Sequence, residues 1–440
     1  MNTTFMLVLR RHQPFVLLLL VYLLVAALFA IFTPAWQNPD EPAHYNYIAQ
    51  LARGGCCPVI QIGDWDSAYL EQLKSSHFAP DLLGNLGAVQ YEDHQPPLYY
   101  LLLTPLFTLT NGSLIALRLA SVVMGAGIVC CAYALGLLVI PRRPQVALAA
   151  AALVAFLPQH VAVLASVNND ALANLLIAAV LLACVLYLRR RDVQPLHIGL
   201  LIGLGLLTKV SALFVGGVAG LCILWRWWRE RHDGAGLLRP LLAFALPALL
   251  MGGLWWGRSI SVYGFPDVYG LRQHNLVVAD QPRTADLIAQ IGFPAYLEQA
   301  LTTTYHSFLG QFGWMALPMP SWIYALIGLL LLVCLGGLLL AAWGAWRSPP
   351  DAGWEAAGIL GLVAVLAVLA YAYYNTEFLQ FQGRYMFTGL VPFALGLALG
   401  LDTLRARIIR RGAWLTVLPF ALFALLDVYL LWRVIVPGLT

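Results

Sequence analysis

Long apolar runs broken by short polar punctuation set the pattern of this chain. Stretches almost free of charge recur near residues 14–33, 113–139, 146–164, 171–188, 195–207, 210–226, 240–260, 321–345, 354–374, 385–402 and 412–434. Most approach the ~20 residues with which an α-helix crosses about 30 Å of hydrocarbon. The pattern predicts an all-α polytopic membrane protein of about 11 transmembrane helices, read as a single membrane domain over residues 1–440. A further apolar run, Leu98 to Leu109, is too short to span and is followed by Asn111 and Gly112, so it reads as an interfacial or re-entrant helix. Residues 195–207 and 210–226, joined across Thr208 and Lys209, read as a tight hairpin. Gly199, Gly203, Gly216 and Gly220 supply the small-residue spacing that lets helices approach closely.

Composition narrows this picture. Hydrophobic residues make up 61% of the chain against 10% charged, and the mean hydropathy is +0.77, which excludes a soluble enzyme on one anchor. The basic residues are 23 Arg and 2 Lys, gathered in short clusters between apolar runs, a pattern of membrane orientation rather than of nucleic-acid binding. With Arg10 and Arg11 in the cytoplasm, 16 of the 25 basic residues fall in cytoplasmic loops, among them Arg142, Arg143, Arg189 to Arg191, Arg226, Arg229, Arg231, Arg239, Arg347 and the group from Arg405 to Arg411. On the same reading 14 of the 21 acids face outward. The N-terminus is therefore expected in the cytoplasm and the C-terminus outside. Two long outer segments follow, residues 34–112, with interfacial helices, and residues 261–320. The opening run lacks a cleavage pattern and reads as a membrane helix rather than a removable signal. Five cysteines lie in apolar runs. Only Cys56 and Cys57 share a polar stretch, and neighbouring Cα atoms about 3.8 Å apart sit below the usual disulfide separation.

Chemistry should sit where titratable groups meet the membrane surface. Asn38-Pro39-Asp40-Glu41-Pro42-Ala43-His44-Tyr45 follows the first span, with Pro42 at a helix start and Asp40 or Glu41 placed to cap it. Tyr91-Glu92-Asp93-His94-Gln95-Pro96-Pro97 ends the first outer segment. Asp170 tops the fourth span in Asn168-Asn169-Asp170-Ala171. Outward cations are few: Lys209 at the hairpin, Arg258 after Trp255-Trp256-Gly257, and Arg384 in Gln382-Gly383-Arg384-Tyr385. Each taken alone could anchor a helix to headgroups, and each acid could be a cap. Three cations facing one acid-lined region point instead to a phosphate held at the interface, with arginine supplying a bidentate fork. No Gly-rich phosphate loop of the nucleotide-binding kind occurs, so no nucleotide is expected, and any reaction must draw on an already activated substrate or an ion gradient.

The order of these motifs resembles the GT-C superfamily of membrane glycosyltransferases. Pro39-Asp40-Glu41-Pro42 follows the first span, His94 precedes Pro96-Pro97-Leu98, and Asn168-Asn169-Asp170-Ala171 tops an outer turn. Leu207-Thr208-Lys209 forms a hairpin, and Gly383-Arg384-Tyr385 precedes a late span. The likeness is to the protein O-mannosyltransferase and aminoarabinose transferase branches. It is nearest to a bacterial branch of glycosyltransferase-like membrane proteins, through Trp255-Trp256-Gly257-Arg258-Ser259 and Phe308-Leu309-Gly310-Gln311-Phe312-Gly313-Trp314. The resemblance implies a sugar taken from a polyprenyl-phosphate lipid, with Asp40 as the essential acid, Glu41 beside it, Asp170 as the second acid, and Lys209 and Arg384 on the lipid phosphate. One departure is Gln95, which separates His94 from the prolines where the mannosyltransferases place His directly before them.

The leading expectation is thus an inverting hexosyl- or pentosyltransferase in the plasma (inner) membrane, its site facing the periplasm or exterior. Asp40 acts as general base with Glu41 and Asp170 as further catalytic acids, while Lys209, Arg258, Arg384, His94, Tyr45 and Tyr385 bind substrate. Glu41, His44 and Asp170 are the preferred ligands for a divalent cation, Mg²⁺ or Mn²⁺, because they top different elements. Expected partners are the lipid-linked donor, a glycan, lipid or protein acceptor, and membrane lipids, with no nucleic acid. The alternative is a transporter or flippase of lipid-linked sugars or organic anions, which would keep ionisable residues near mid-membrane; only Asp402 and Asp427 approach that description. A non-catalytic subunit retaining the fold is a third reading.

Overall fold

The computed structural model describes residues 3–189, 192–230, 234–347 and 353–440. Of the arginines that oriented the chain in the sequence, Arg190, Arg191 and Arg231 lie outside these residues. The described residues are helical almost throughout, with a single two-stranded ribbon pairing Gln311–Phe312 with Leu317–Pro318. In a low-dielectric slab every backbone polar group must be satisfied within its own segment, and helices do that.

Among the described residues, eight helices are long and apolar enough to cross a membrane: His12–Phe32, Leu114–Val139, Asp170–Leu188, Gly236–Tyr263, Ser321–Arg347, Trp354–Tyr374, Gly383–Ile408 and Trp414–Leu439. Pro144–Phe156 and Pro158–Leu164 make a ninth if counted as one span, bent by 61°. The break falls at Leu157-Pro158, because proline has no N–H for the ladder and its ring clashes with the preceding turn. The sequence had read this stretch as one uninterrupted span. The two remaining segments are also helical. Pro195–Leu206 has only 12 residues, and Ala212–Arg229 ends on Arg226 and Arg229, so neither reaches the length and apolarity of the others.

Gly199 and Gly203 of the hairpin's first helix face a third helix rather than the hairpin partner. A Cβ at Gly199 would stand 2.1 Å from the Phe244 carbonyl oxygen, and one at Gly203 would stand 2.6 Å from Met251 Sδ, so the first hairpin helix lies directly on Gly234–Tyr263.

Residues between the first two spans fold on themselves. Glu41–Ala52 packs on the apolar helix Leu98–Leu109, and a separate small core joins Ala43, Leu70, Leu73, Phe78, Val89 and Tyr91. Val278, from the region after Tyr263, inserts into that core and ties the two long connecting segments together. Cys56 and Cys57, against the expectation from their spacing, are joined in a disulfide. At the opposite end of the bundle, buried Asp402 accepts hydrogen bonds from Arg143 at 3.2 Å, Gln145 at 3.1 Å, Arg405 at 2.5 Å and Thr416 at 2.9 Å. This closes the face away from the acidic motifs.

Candidate active site

Asp40 owes its direction to the backbone. Pro42 opens its helix in the first turn, where the missing N–H costs nothing, but Asp40 at the N-cap has φ 67° and its side chain does not cap. A non-glycine residue in that left-handed region sacrifices on the order of 1 kcal/mol and must be held there. Its carboxylate accepts a hydrogen bond from the Tyr91 hydroxyl at 2.9 Å on Oδ1 and pairs with Arg384 Nη2 on Oδ2.

The holding comes from the next residue. Glu41 is fully buried, and its oxygens accept from Arg118 Nε at 2.7 Å, Arg118 Nη2 at 2.6 Å, Val167 N at 3.1 Å and Trp36 N at 3.1 Å. Arg118, inside Leu114–Val139 and 1% exposed, donates also to the carbonyls of Ala30, Thr33 and Pro34. Where catalysis and metal ligation were expected of Glu41, the structure leaves its carboxylate no vacant direction. Glu41 pins the end of the first helix, the Asp40 turn and the segment before Asp170 to one another.

Asp170 starts its helix and accepts from Lys209 Nζ at 2.5 Å, so the two form an ion pair between that helix and the hairpin turn. Arg384 opens the span Gly383–Ile408. Its Nε donates to Gln382 Oε1 at 2.7 Å, and its guanidinium lies 5.4 Å from the Tyr385 ring centroid. Gly383 is required there, since a Cβ would come within 2.5 Å of the Phe308 backbone. Tyr385 in turn meets Tyr374 edge-on at 5.9 Å.

His44, Asp40 and Glu92 converge, with one potential ligand atom of each within 4.8 Å of the others. Among the described residues this is the set able to hold a metal ion, in place of the expected Glu41, His44 and Asp170, because Glu41 is committed to Arg118 and Asp170 to Lys209. His44 Nδ1 is hydrogen-bonded with the Tyr100 hydroxyl at 2.8 Å, which fixes the ring, and Glu92 Oε2 accepts from Gln95 Nε2 at 2.8 Å. Two oxygens and a nitrogen suit a divalent ion of the Mn²⁺ or Zn²⁺ type, and Mg²⁺ less well.

Burial and charge set the protonation of this cluster. Burial opposes the Asp40 carboxylate, but the Arg384 guanidinium, with the hydrogen bonds from Arg384 and Tyr91, outweighs it and holds the carboxyl below its usual value. Burial, helped by the neighbouring Asp40 charge, pushes Glu92 up to about 8. Burial also pushes His44 down to about 3, so its imidazole is neutral at physiological pH. His94 is lowered by burial and by its neighbour His274, whose ring centroid lies 4.5 Å away.

Two expected substrate contacts lie elsewhere. Tyr45 donates to the Gly112 carbonyl at 2.7 Å and packs edge-on against Trp36. Arg258 donates to the Cys57 carbonyl at 2.9 Å and to that of Pro58, and stacks over Trp255 and Tyr263. Both are committed to holding loops. Conversely, Arg118, Tyr91 and Gln382 shape the site without having been singled out for these roles. Arg118 carried a legible signal, a lone charge inside an apolar span.

An apolar groove of about 660 Å³ runs along the bundle, lined by residues that include Tyr305, Phe308, Leu335, Leu360, Met386 and Phe393. Met386 stands two residues beyond Arg384 in the chain, and Phe308, also in the lining, packs on Gly383.

Residues 94–250 match the family described as dolichyl-phosphate-mannose-protein mannosyltransferase. No curated protein matches the sequence. Among solved structures the chain is similar to ArnT from Cupriavidus metallidurans bound to undecaprenyl phosphate, at 14% identity over 97% of this chain and 74% of that one, with a TM-score of 0.53. It is also similar to the oligosaccharyltransferase of Archaeoglobus fulgidus in the apo form, at 14% identity over 94% of this chain, with a TM-score of 0.50; this chain spans 55% of that enzyme. The resemblance to GT-C glycosyltransferases read from the motifs therefore holds at the level of the fold.

Proposed function

We propose that this chain is a membrane glycosyltransferase that moves a hexosyl or pentosyl unit from a polyprenyl-phosphate-linked donor to a hydroxyl of a glycan, lipid or protein acceptor, with inversion. The observation that carries the reading is the Asp40–Arg384 pair, whose arginine opens the same span that lines an apolar groove through Met386, Pro392 and Phe393. A polyprenyl tail requires such a groove, a lipid phosphate requires a fixed cation where the groove meets polar surface, and acyl- or glycosyl-type transfer to a hydroxyl requires a base. Similarity to a neighbour bound to undecaprenyl phosphate supports the same donor class here.

In the reaction the acceptor oxygen bonds to the anomeric carbon as the bond from that carbon to the phosphate oxygen breaks. The phosphate leaves with the electron pair, and the hydroxyl proton passes to Asp40. Because displacement occurs once, from the face opposite the phosphate, the anomeric configuration inverts. Arg384 is bonded to Asp40 in the resting chain, so a donor phosphate competes with that carboxylate for the guanidinium. Arg384 and Lys209 then stabilise the departing phosphate, an electrostatic contribution of roughly 3 kcal/mol for each well-placed donor. Asp170 holds Lys209 at that position. A divalent ion on Asp40, His44 and Glu92 would supply further stabilisation of phosphate charge.

The clusters of arginine at the far end of the bundle favour a cytoplasmic far face in the plasma (inner) membrane, with the site, the segment 34–112 and the segment 261–320 facing the periplasm or exterior. Titratable groups converge at one membrane surface rather than mid-span, which favours transfer over transport. The test is incubation of the purified protein with an undecaprenyl-phosphate sugar labelled in the sugar. Release or transfer of label supports the reading, and movement of the intact lipid across a bilayer without cleavage overturns it.

A further inference from the structure

The helix Glu41–Ala52 carries Asp40 at its start, and at its other end the chain turns around a second cavity. This cavity, of about 380 Å³ and open to solvent, is lined by Gln50, Arg53, Gly55, Cys56, Cys57 and Pro58. At 1.5 Å per residue Gln50 lies about 15 Å along the helix from Asp40, so the cavity is separate from the acid cluster. Its size falls in the range of small-ligand sites, roughly 300–1,000 Å³.

Its hydrogen-bonding capacity is one-sided. Gln50 is fixed by donating its Nε2 to Asp93 Oδ2 at 2.7 Å, with Asp93 itself 1% exposed, which leaves Gln50 Oε1 as an immobile acceptor. The Arg53 guanidinium has no hydrogen bond or ion pair among the described residues. Nor do the backbone N–H groups of Gly55, Cys56 and Cys57. The carbonyls of Cys57 and Pro58, in contrast, are already taken by Arg258 Nη2, which adds a second cation behind the loop. Unspent donors and one rigid acceptor thus surround the same space.

We infer that this cavity binds an anionic group, a phosphate or carboxylate, that carries a neighbouring hydroxyl. The Arg53 fork takes two of the anion's oxygens, the free N–H groups of the loop lie beside it, and the hydroxyl donates to Gln50 Oε1. The negative end of the helix at Ala52 opposes an anion, but it amounts to about half a charge, and its last carbonyls already accept from Arg53 N and Gly54 N. A full guanidinium charge outweighs it. Two sources offer this chemistry: the head group of an anionic glycerophospholipid, or a free phosphorylated or acidic sugar.

The experiment titrates sn-glycerol 1-phosphate, and separately methyl phosphate, onto the purified full-length chain by calorimetry. Saturable glycerol-phosphate binding is expected, several-fold tighter than that of methyl phosphate, which lacks the hydroxyls. Arg53→Gln, at an exposed position, should weaken it at least tenfold. Repeating the titration in nanodiscs separates the sources: if phosphatidylglycerol in place of phosphatidylcholine blocks the soluble probe, the occupant is the lipid head group, and if it does not, the occupant is the free anion. Absence of saturable binding, or binding that survives Arg53→Gln and is lost in Arg384→Lys, overturns the inference by moving the anion to the acid cluster. Donor cleavage is not read in any arm, so the outcome is independent of the transferase reading.

Discussion

A carboxylate that takes a proton must be ionised and must have a free lone pair, and Asp40, with Tyr91 on one oxygen and Arg384 on the other, keeps a lone pair on each. Asp40→Asn keeps the shape and the contact with Tyr91 but cannot accept the acceptor's proton. Turnover should fall by about 10² to 10⁴ while undecaprenyl-phosphate binding persists. Normal turnover in a folded Asp40→Asn protein would remove it as the base. Because Arg384 holds the Asp40 carboxyl below the usual value near 3.9, the base stays active down to low pH, and the acid limb of kcat/KM should lie below about pH 4. A limb centred near pH 6 would assign the essential proton to another group. Glu92 behaves in the opposite sense. Its folded-state pKa of about 8 lies above the unfolded value, so the stability associated with its neutral form is complete below about pH 4 and declines as pH rises towards 8. Glu92→Gln should remove that decline: its unfolding midpoint should match the parent at pH 4 and exceed it at pH 8. An equal difference at both pH values would show that Glu92 is ionised in the folded chain. These residues were legible as candidates because charges at span ends stand out from an apolar chain. Their partners were not, since nothing in local spacing joins Asp40 to Arg384 or separates Glu41 from the reacting groups.

Helices meet at the site through two devices that single-residue motifs do not disclose. The first is the Glu41–Arg118 pair, which couples the end of the first span, the turn before Asp170 and Leu114–Val139. Removing one member of a buried pair strands the other, so Arg118→Met should destabilise the protein by about 3–5 kcal/mol, read as a fall in the thermal midpoint in detergent. The double variant Glu41→Gln with Arg118→Met removes both charges, retains an acceptor for one of Trp36 N and Val167 N, and should recover part of the loss. No recovery would mean that Arg118 acts through the carbonyls of Ala30, Thr33 and Pro34 alone. The second device is the bend at Leu157-Pro158, where buried His160 is hydrogen-bonded through Nδ1 to the Val154 carbonyl at 2.7 Å, and Gln159 Oε1 accepts from Gln311 N at 2.7 Å. His160→Phe fills similar space but leaves a buried carbonyl unpaired, at a cost of roughly 1–3 kcal/mol. A thermal midpoint unchanged by it would show that the bend needs no such bond. Hydrophobic runs located all eleven segments as helices, because periodicity and length survive any packing. They did not show Pro158 as a break, because an apolar window averages over the one residue that interrupts the ladder.

Across the whole molecule the acid cluster and the Asp402 cluster occupy opposite ends of the bundle, one helix length apart, since Gly383–Ile408 starts beside Asp40 and ends beyond Asp402. The C-terminus belongs to the first of these ends: the Leu439 carbonyl accepts from Gln37 Nε2 at 3.4 Å, and Leu439 packs at Gly313 next to Trp314, whose Nε1 donates to the Trp36 carbonyl at 3.0 Å. Site and C-terminus therefore share a side of the membrane whatever that side is. The distribution of charge gives the expected side. Arg142, Arg143, Arg226, Arg229, Arg347 and the arginines from 405 to 411 all follow or precede spans at the other end, and short basic loops stay in the cytoplasm. The chain should thus insert with the site and Thr440 outside. An alkaline phosphatase fused after Thr440, which folds only outside the cytoplasm, is expected to be active, and a green fluorescent protein at the same point, exported unfolded, is expected to be dark. The reverse pair of signals would turn the molecule over. Asp40 and Arg384 would then face the cytoplasm, and the lipid-linked donor would have to be the form made on that side rather than one already carried across.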